Sequence, residues 1–443
     1  MTRKLPLALL LVFVLLYSCK SQSINKTGLD SFFVALNAHN QSMGSIAISS
    51  NGKIVYQKAI GYSQINGDDK TLANIKTKYR VGSISKMFTA VMIFQLIEEG
   101  KLTLHTTLDK YYPQLPNANK ITIAEMMNHH SGLYNFTNDS LYAKYKGKLM
   151  SETEMAEIFT KEKPDFEPGL KAEYSNTNFV LLGYIIEKIT GKSYSEELKK
   201  RITSKIGLED TYYGGKANPL KNEAYSYNYV AKWEQLSETD MSTVGGAGAI
   251  VSTPTDLVKF IDALFADKLI SGANLENMEM MKDNFGMAMI IIPFEDKKGY
   301  GHNGGIDGFL SQLAYFPVDK LAIAYTANGV RSSTTDIVIG ALSIYYNKPF
   351  VMPEYKTIAL SNIDLDKYLG NYTSSQVALK IAITKNGTTL IGQATGQNAN
   401  PLDAMGNDKF LLKSAGAIFQ FDTTKHTFTL SQRGTTYLFT KVN

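Results

Sequence analysis

The stretch that decides the fold reads YRVGSISKMFTAVMIFQLIEEGKL, from Tyr79 to Leu102. Its apolar residues, Phe88, Val91, Phe94 and Leu96 among them, recur at helical spacing, and Gly100 stands where a helix C-terminal glycine belongs. Lysine is seldom buried without a partner, so Lys86 at the head of so apolar a helix needs a structural excuse or a chemical role. Ser83 precedes it by three residues, and positions i and i+3 of a helix share a side. A hydroxyl nucleophile beside a lysine base fits that spacing, because burial disfavours the ammonium and lowers its proton affinity toward what a general base needs. A capping serine with a lysine that snorkels to water is the plainer alternative.

Ser-x-x-Lys occurs twice more, at Ser23 to Lys26 and Ser50 to Lys53. The first lies in a polar tether and the second spans a turn. Only Ser83 starts a buried helix, whose N–H groups and dipole favour a developing oxyanion.

Upstream, "GLDSFFVALNAH" has helical spacing, and "SIAISSNGKIVYQKAIGYSQI" alternates as strands on both sides of Asn51-Gly52, a hairpin signal. A helix- and loop-rich region follows from about Leu104 to Thr243. Strand patterns return in "FGMAMIIIPF", "GFLSQLAYFP" and "KLAIAYTANG", with Gly-rich and charged turns between them, and "TTDIVIGALSIYYN" closes the unit as a helix. Strands at both ends and helices between them predict an α/β (α+β) unit: one antiparallel sheet flanked by helices, with an inserted, mainly helical subdomain. Beyond a loose connector, the last residues read as short strands with frequent turns, a small C-terminal all-β domain, a barrel or a sandwich.

The first residues, MTRKLPLALLLVFVLLYSCKSQS, carry Arg3 and Lys4, an apolar run too short to span a bilayer comfortably, and then Cys19, the only cysteine of 443 residues. This predicts an export signal of lipoprotein type, cleaved before Cys19, with the thiol carrying the lipid; an ordinary secretory signal is the alternative. The expected divisions are a signal peptide at 1–18, a tether at 19–27, the mixed unit at 28–350, a linker at 351–363 and the β domain at 364–443. The expected location is the cell envelope, exported and anchored through Cys19 on the periplasmic or outer-membrane side. With 44% hydrophobic and 20% charged residues, net charge +5 and no basic block, the chain is globular protein with no expected nucleic-acid partner.

Two further phrases carry chemistry. "PGLKAEYSNTNFVLLGYIIEKITG" places Tyr174-Ser175-Asn176 just before a helix, and "GYGHNGGIDGFLSQLAYFP" places His302-Asn303-Gly304-Gly305 at a strand edge, where small residues admit a substrate backbone. Tyr345 to Asn347 and His130-Ser131-Gly132 repeat fragments of these patterns elsewhere. His129-His130 lacks the spacing and the carboxylate of a zinc helix, and Gly245 to Ala249 lacks the residues of a phosphate loop, so no metal and no cofactor is expected.

The ordered set Ser83-x-x-Lys86, Tyr174-x-Asn176 and His302-x-Gly304 resembles the serine β-lactamase and penicillin-binding-protein superfamily, in particular its class C β-lactamase, DD-peptidase and esterase branch. The resemblance covers about Gly28 to Asn347 and includes "MMNHHSGL" and "GGAGAIVSTPTDLVKFIDAL". It implies that Ser83 is the acylated nucleophile, that Lys86 accepts its proton and that Tyr174 shuttles protons, with the base role divided between the last two in a way sequence leaves open. It further implies that Asn176 holds a substrate amide and that His302, with Asn303 and Gly304, forms the third substrate-binding element. The N–H groups of Ser83 and Gly305 would make the oxyanion hole. His302-Asn303 replaces the Lys-Thr or Lys-Ser usual in β-lactamases, which weakens the expected grip on a carboxylate. The C-terminal part resembles the lipocalin-like domains appended to some members and is expected to shape access or pack against the hydrolase.

The function this implies is a serine hydrolase working through an acyl-enzyme on D-amino-acid peptides, of DD-carboxypeptidase or D-peptidase type, or on related amides and esters. A class C-like β-lactamase or carboxylesterase is the enzymatic alternative, and an envelope lipoprotein that only binds cell-wall peptides is the other.

Overall fold

The computed structural model describes residues 24–350 apart from 230–231, and 364–442 apart from 378, 413–414 and 433–434. The signal peptide, Cys19 and the linker lie outside the described residues. Six antiparallel strands form the main sheet: β1 (Ser42–Ser50), β2 (Lys53–Ile60), β3 (Ile290–Phe294), β4 (Lys297–Ile306), β5 (Phe309–Phe316) and β6 (Leu321–Val330), in the order β3-β4-β5-β6-β1-β2. The β1–β2 hairpin turns at Asn51 and Gly52, both at positive φ (52° and 71°), as a two-residue turn that follows strand twist requires. Chain ends meet at the centre: β6 pairs with β1 from Val330 against Ser42 to Leu321 against Ser50.

Both faces of the sheet are covered, so strand side chains are buried on alternate sides. Ile46, Ile48, Ile323 and Tyr325 pack under α1 (Lys26–Ala38) and the terminal helix, whereas Ala47, Leu313, Ala322 and Ala324 face the helical core inserted between β2 and β3. That core is built around α2 (Ser85–Glu98), which is buried over nearly its whole circumference, as a helix without a polar face must be. It packs among α3 (Asn176–Thr190), α4 (Met241–Gly248) and α5 (Pro254–Leu264), with Phe88 stacked on Phe260 at 3.8 Å between centroids. The terminal helix is α6 (Thr334–Tyr345).

The structure changes three details of the sequence reading. Tyr79–Arg80 is a short strand, and Ser83 lies in a 3-10 turn, Gly82–Ile84, that feeds α2. The turn needs Gly82, whose φ is +52° and whose added Cβ would stand 2.7 Å from Gly305 N. Residues 285–289 are irregular, so the strand read in 285–294 is confined to β3, and β4 follows it with glycines that lower its β propensity. His302 is therefore mid-strand, but β3 ends at Ile290 opposite Gly301, so the stretch from His302 to Ile306 has a strand on one side only.

The C-terminal domain is a closed barrel of eight strands: β7 (Gly370–Thr373), β8 (Lys380–Asn386), β9 (Thr389–Ala394), β10 (Asn400–Gly406), β11 (Lys409–Leu412), β12 (Ala417–Asp422), β13 (Thr427–Gln432) and β14 (Thr435–Val442). Its lumen is filled by Tyr372, Phe410, Phe419, Phe421, Phe428 and Phe439.

Candidate active site

The site forms where the turn ahead of α2, the start of α3 and the open part of β4 converge. Lys86 is fully buried, and its Nζ lies 3.0 Å from Ser83 Oγ, 2.8 Å from Asn176 Oδ1 and 2.9 Å from the Ala247 carbonyl. No carboxylate is among these contacts. Burial therefore pushes the Lys86 ammonium well below its usual range, toward the neutral amine.

The hydrogen bonds are consistent with that amine. The Asn176 amide is oriented by its Nδ2, which donates to Thr137 Oγ1 at 3.1 Å, so Oδ1 faces the lysine as an acceptor. Thr137 Oγ1 in turn donates to Asn135 Oδ1, which also accepts from the Asn176 backbone N–H at 3.0 Å. A neutral Lys86 has two N–H donors, one for Asn176 and one for Ala247, and the remaining lone pair meets the Ser83 hydroxyl. Tyr174 donates its hydroxyl to Ser83 Oγ at 2.6 Å, and burial pushes the phenol's proton affinity up. Ser83 Oγ thus has a proton acceptor on one side and a proton donor on the other.

Glycines hold Ala247 over Lys86. A Cβ at Gly246 would lie 2.5 Å from Phe179 O, and one at Gly183 would lie 3.1 Å from Gly246 N, so α4 and α3 approach closer than any larger residue permits. The glycines of the Gly245–Ala249 run serve this close packing. Gly82 against Gly305 has the same effect on the other side of the site, and it brings the amides of Ser83 and Gly305 next to each other.

Gly304 is expected beside the substrate, yet a Cβ there would meet Val81 O at 2.0 Å and Ser311 Oγ at 2.4 Å. The residue lets β4 lie against the Ser83 turn, so the contact it serves is internal. Asn303 is exposed on the open part of β4. His302 is buried, with its ring centroid 6.3 Å from that of Tyr174 and its Nδ1 2.5 Å from the Asn303 carbonyl. A carbonyl only accepts, so Nδ1 carries the proton and Nε2 is left as a lone-pair acceptor. Burial pushes the imidazole down to about 4.

The competing fragments find structural uses. Ser131 donates to Asn178 Oδ1 at 2.6 Å in the interior, Lys53 is exposed on the hairpin, and Asn347 lies past α6 at φ 52°. His129 and His130 form no metal site, and among the described residues there is no cluster able to hold one. His129 packs its ring 4.5 Å from that of Tyr174 and accepts from the Ser175 N–H at 3.2 Å, which braces the tyrosine from behind. The sequence carries no sign of this role for the pair, nor of any role for Asn135 and Thr137.

A cleft of about 390 Å³ opens from Ser83 past Asn176, Thr137 and Gly305, with Lys146 and Asp307 at its rim. Asp307 is held by Arg80 Nη1 at 3.1 Å and Thr239 Oγ1 at 2.7 Å, with Lys146 Nζ 3.8 Å away. The far wall is Gly396, Gln397 and Asn398 of the barrel.

The family described as Beta-lactamase matches residues 29–341. The chain is 26% identical over 423 residues to penicillin-binding protein 4* of Bacillus subtilis (strain 168), spanning 89% of this chain and 93% of that one. It is 29% identical over 231 residues to the teichoic acid D-alanine hydrolase of Staphylococcus aureus, which is 52% of this chain and 55% of the relative, about half its length. Among solved structures, the D-amino acid amidase of Ochrobactrum anthropi SV3 complexed with D-phenylalanine superposes with a TM-score of 0.65 at 25% identity, over 72% of this chain and 98% of the amidase. The octameric penicillin-binding protein homologue of Pyrococcus abyssi gives 0.64 at 24% identity over 94% and 100%, a likeness of fold.

Proposed function

The chain belongs to the Beta-lactamase family and is a serine hydrolase, and from that premise we propose that it cleaves amides and esters of D-amino acids through an acyl-enzyme on Ser83. The observation that carries the proposal is the position of Ser83 Oγ, 3.0 Å from a buried lysine with no carboxylate partner and 2.6 Å from a neutral phenol. Ser83 attacks the carbonyl carbon while its proton passes to Lys86. The N–H groups of Ser83 and Gly305 receive the oxyanion, and Tyr174 gives its proton to the leaving group and is reprotonated from Lys86. Water then repeats the sequence in reverse on the acyl-enzyme, with Tyr174 and Lys86 taking its proton.

Relatives named for D-alanine hydrolysis and D-amino acid amidase activity support the D configuration. His302 supports the choice among them. A neutral ring with Nε2 as acceptor suits an N–H of the substrate and gives a carboxylate no cation, which favours amides and esters over β-lactams or peptides with a free C-terminal carboxylate. We place the enzyme in the cell envelope, anchored through Cys19, on the strength of the leader sequence alone.

The test is turnover of D-alanine p-nitroanilide and its L enantiomer, with an intact-mass search for an adduct after brief mixing with an activated D-alanyl ester. Preference for the D form and a mass increase absent from Ser83→Ala are expected. Turnover that survives Ser83→Ala overturns the nucleophile, and equal rates on both enantiomers overturn the substrate class.

A further inference from the structure

The barrel reaches into the site of the other domain. Gly396, Gln397 and Asn398, in the loop between β9 and β10, line the same cleft as Ser83, Asn176 and Gly305. The loop is docked there. Asn228 of the hydrolase unit donates its side-chain amide to the Ala399 carbonyl. Arg331 Nη2 pairs with Asp403 Oδ1 at 2.8 Å, with both side chains largely buried, and its guanidinium lies 4.2 Å over the Tyr229 ring.

Its backbone is also fixed from within. Gln397 N–H donates to Ala394 O at 3.0 Å, Gln393 Nε2 donates to Gln397 O at 3.2 Å, and Asn400 Nδ2 donates to Asn398 O at 2.7 Å. The Gln397 and Asn398 side chains, in contrast, are exposed and make no hydrogen bond to the described residues. A loop with its backbone held and two uncommitted carboxamides, on residues that line the cleft of the nucleophile, is arranged for a ligand. Among the described residues, the barrel's lumen is packed with aromatic rings.

The position of the cleft shows which part of the ligand is met. The cleft runs from Ser83 along Asn176, the residue expected to hold the substrate's amide, while Tyr174, assigned to the leaving group, does not line it; on that assignment the cleft takes the acyl side. Gln397 and Asn398 there stand with Asn176 and Thr137, all neutral groups that both donate and accept. The charged residues at the rim are spoken for, Asp307 by Arg80 and Thr239, with Lys146 beside it.

We propose that Gln397 and Asn398 are specificity-determining residues that hydrogen-bond a peptide-like, amide-bearing extension on the acyl side of the substrate, so that the C-terminal barrel completes the active site of the hydrolase. This deepens the reading of a D-amino-acid amide hydrolase and rests on it.

The experiment compares N-acetyl-L-alanyl-D-alanine p-nitroanilide with D-alanine p-nitroanilide, which has the same leaving group and no extension, in the wild type and in Gln397→Ala/Asn398→Ala. The ratio of kcat/KM, extended over short, is expected to fall about tenfold or more in the variant, since each carboxamide removed takes a hydrogen bond from the extension. In a Ser83→Ala background, which cannot turn over, the Kd of the extended donor measured by calorimetry is expected to rise by a similar factor when the two amides are removed. An unchanged ratio together with an unchanged Kd overturns the proposal. A Kd that depends on the loop, in a protein that hydrolyses neither donor, would instead remove the assigned reaction and leave the loop's role standing.

Discussion

Replacing Lys86 by methionine tests the central electrostatic claim without reference to any substrate. Methionine keeps most of the side-chain volume in a site with no solvent exposure and removes the titrating group. Burial lowers the pH at which Lys86 gives up its proton in the fold, whereas the unfolded chain holds it as an ammonium until the pH approaches 10.5. Folding therefore releases a proton between the depressed native value and 10.5, and the penalty for doing so grows as the pH falls. In that window the unfolded state binds one more proton than the native state, so stability rises with pH by about 1.4 kcal/mol per unit. Relative to Lys86→Met, the wild type should gain about 2.7 kcal/mol between pH ~7.5 and ~9.5, and every other group titrates alike in both proteins and cancels. Losing the donors to Asn176 and Ala247 offsets the variant by a constant and leaves the slope untouched. The assay is urea unfolding of both proteins at three pH values, with kcat/KM measured alongside and expected to fall ~10³-fold in the variant. A stability difference that does not change with pH would show that Lys86 keeps its proton in the fold, and the lysine would then be excluded as the resting base.

Three further outcomes follow from the same geometry. Tyr174→Phe should lose ~10²- to 10⁴-fold in kcat/KM on an anilide, whose poor leaving group needs the phenol's proton, and much less on an activated aryl ester; equal losses on both would remove its acid role. Gly82→Ala forces a Cβ toward Gly305 N at φ +52°, so thermal unfolding should show about 1–3 kcal/mol of destabilisation and kcat should fall ~10²-fold as the oxyanion amides move apart. Cys19→Ser should abolish incorporation of labelled palmitate and shift the protein from the membrane to the soluble fraction; retained label would place the lipid elsewhere, and no label in the wild type would remove the anchor.

The residues that act in sequence order were readable. Ser83 and Lys86 stand out because a lysine inside an apolar helix violates burial rules, and Tyr174 and Asn176 because they precede a helix start after a Pro-Gly loop. β4 was harder to see, since four glycines in Lys297–Ile306 hide a strand in which Gly301 serves a close contact with Leu313 on the next strand and Gly304 one with Val81, far away in the chain. Asn135 and Thr137 were invisible for a related reason: they orient Asn176 across about forty residues of chain, and no local pattern records that. Gln397 and Asn398 have no periodicity or motif at all. Their place at the site depends on how one domain docks on another, which single-chain patterning does not encode.

The pairing of β6 with β1 also sets a timetable. A chain that emerges N-terminus first presents Ser83 and Lys86 early, but Tyr174 follows some ninety residues later, Gly305 later still, and the sheet cannot close until Val330 reaches Ser42. The nucleophile and its lysine exist long before the other groups that complete the site. During synthesis the incomplete chain thus lacks the site that would attack the chains and acyl groups around it, and Gln397 and Asn398, the last pieces of the cleft to arrive, close its wall once it is whole.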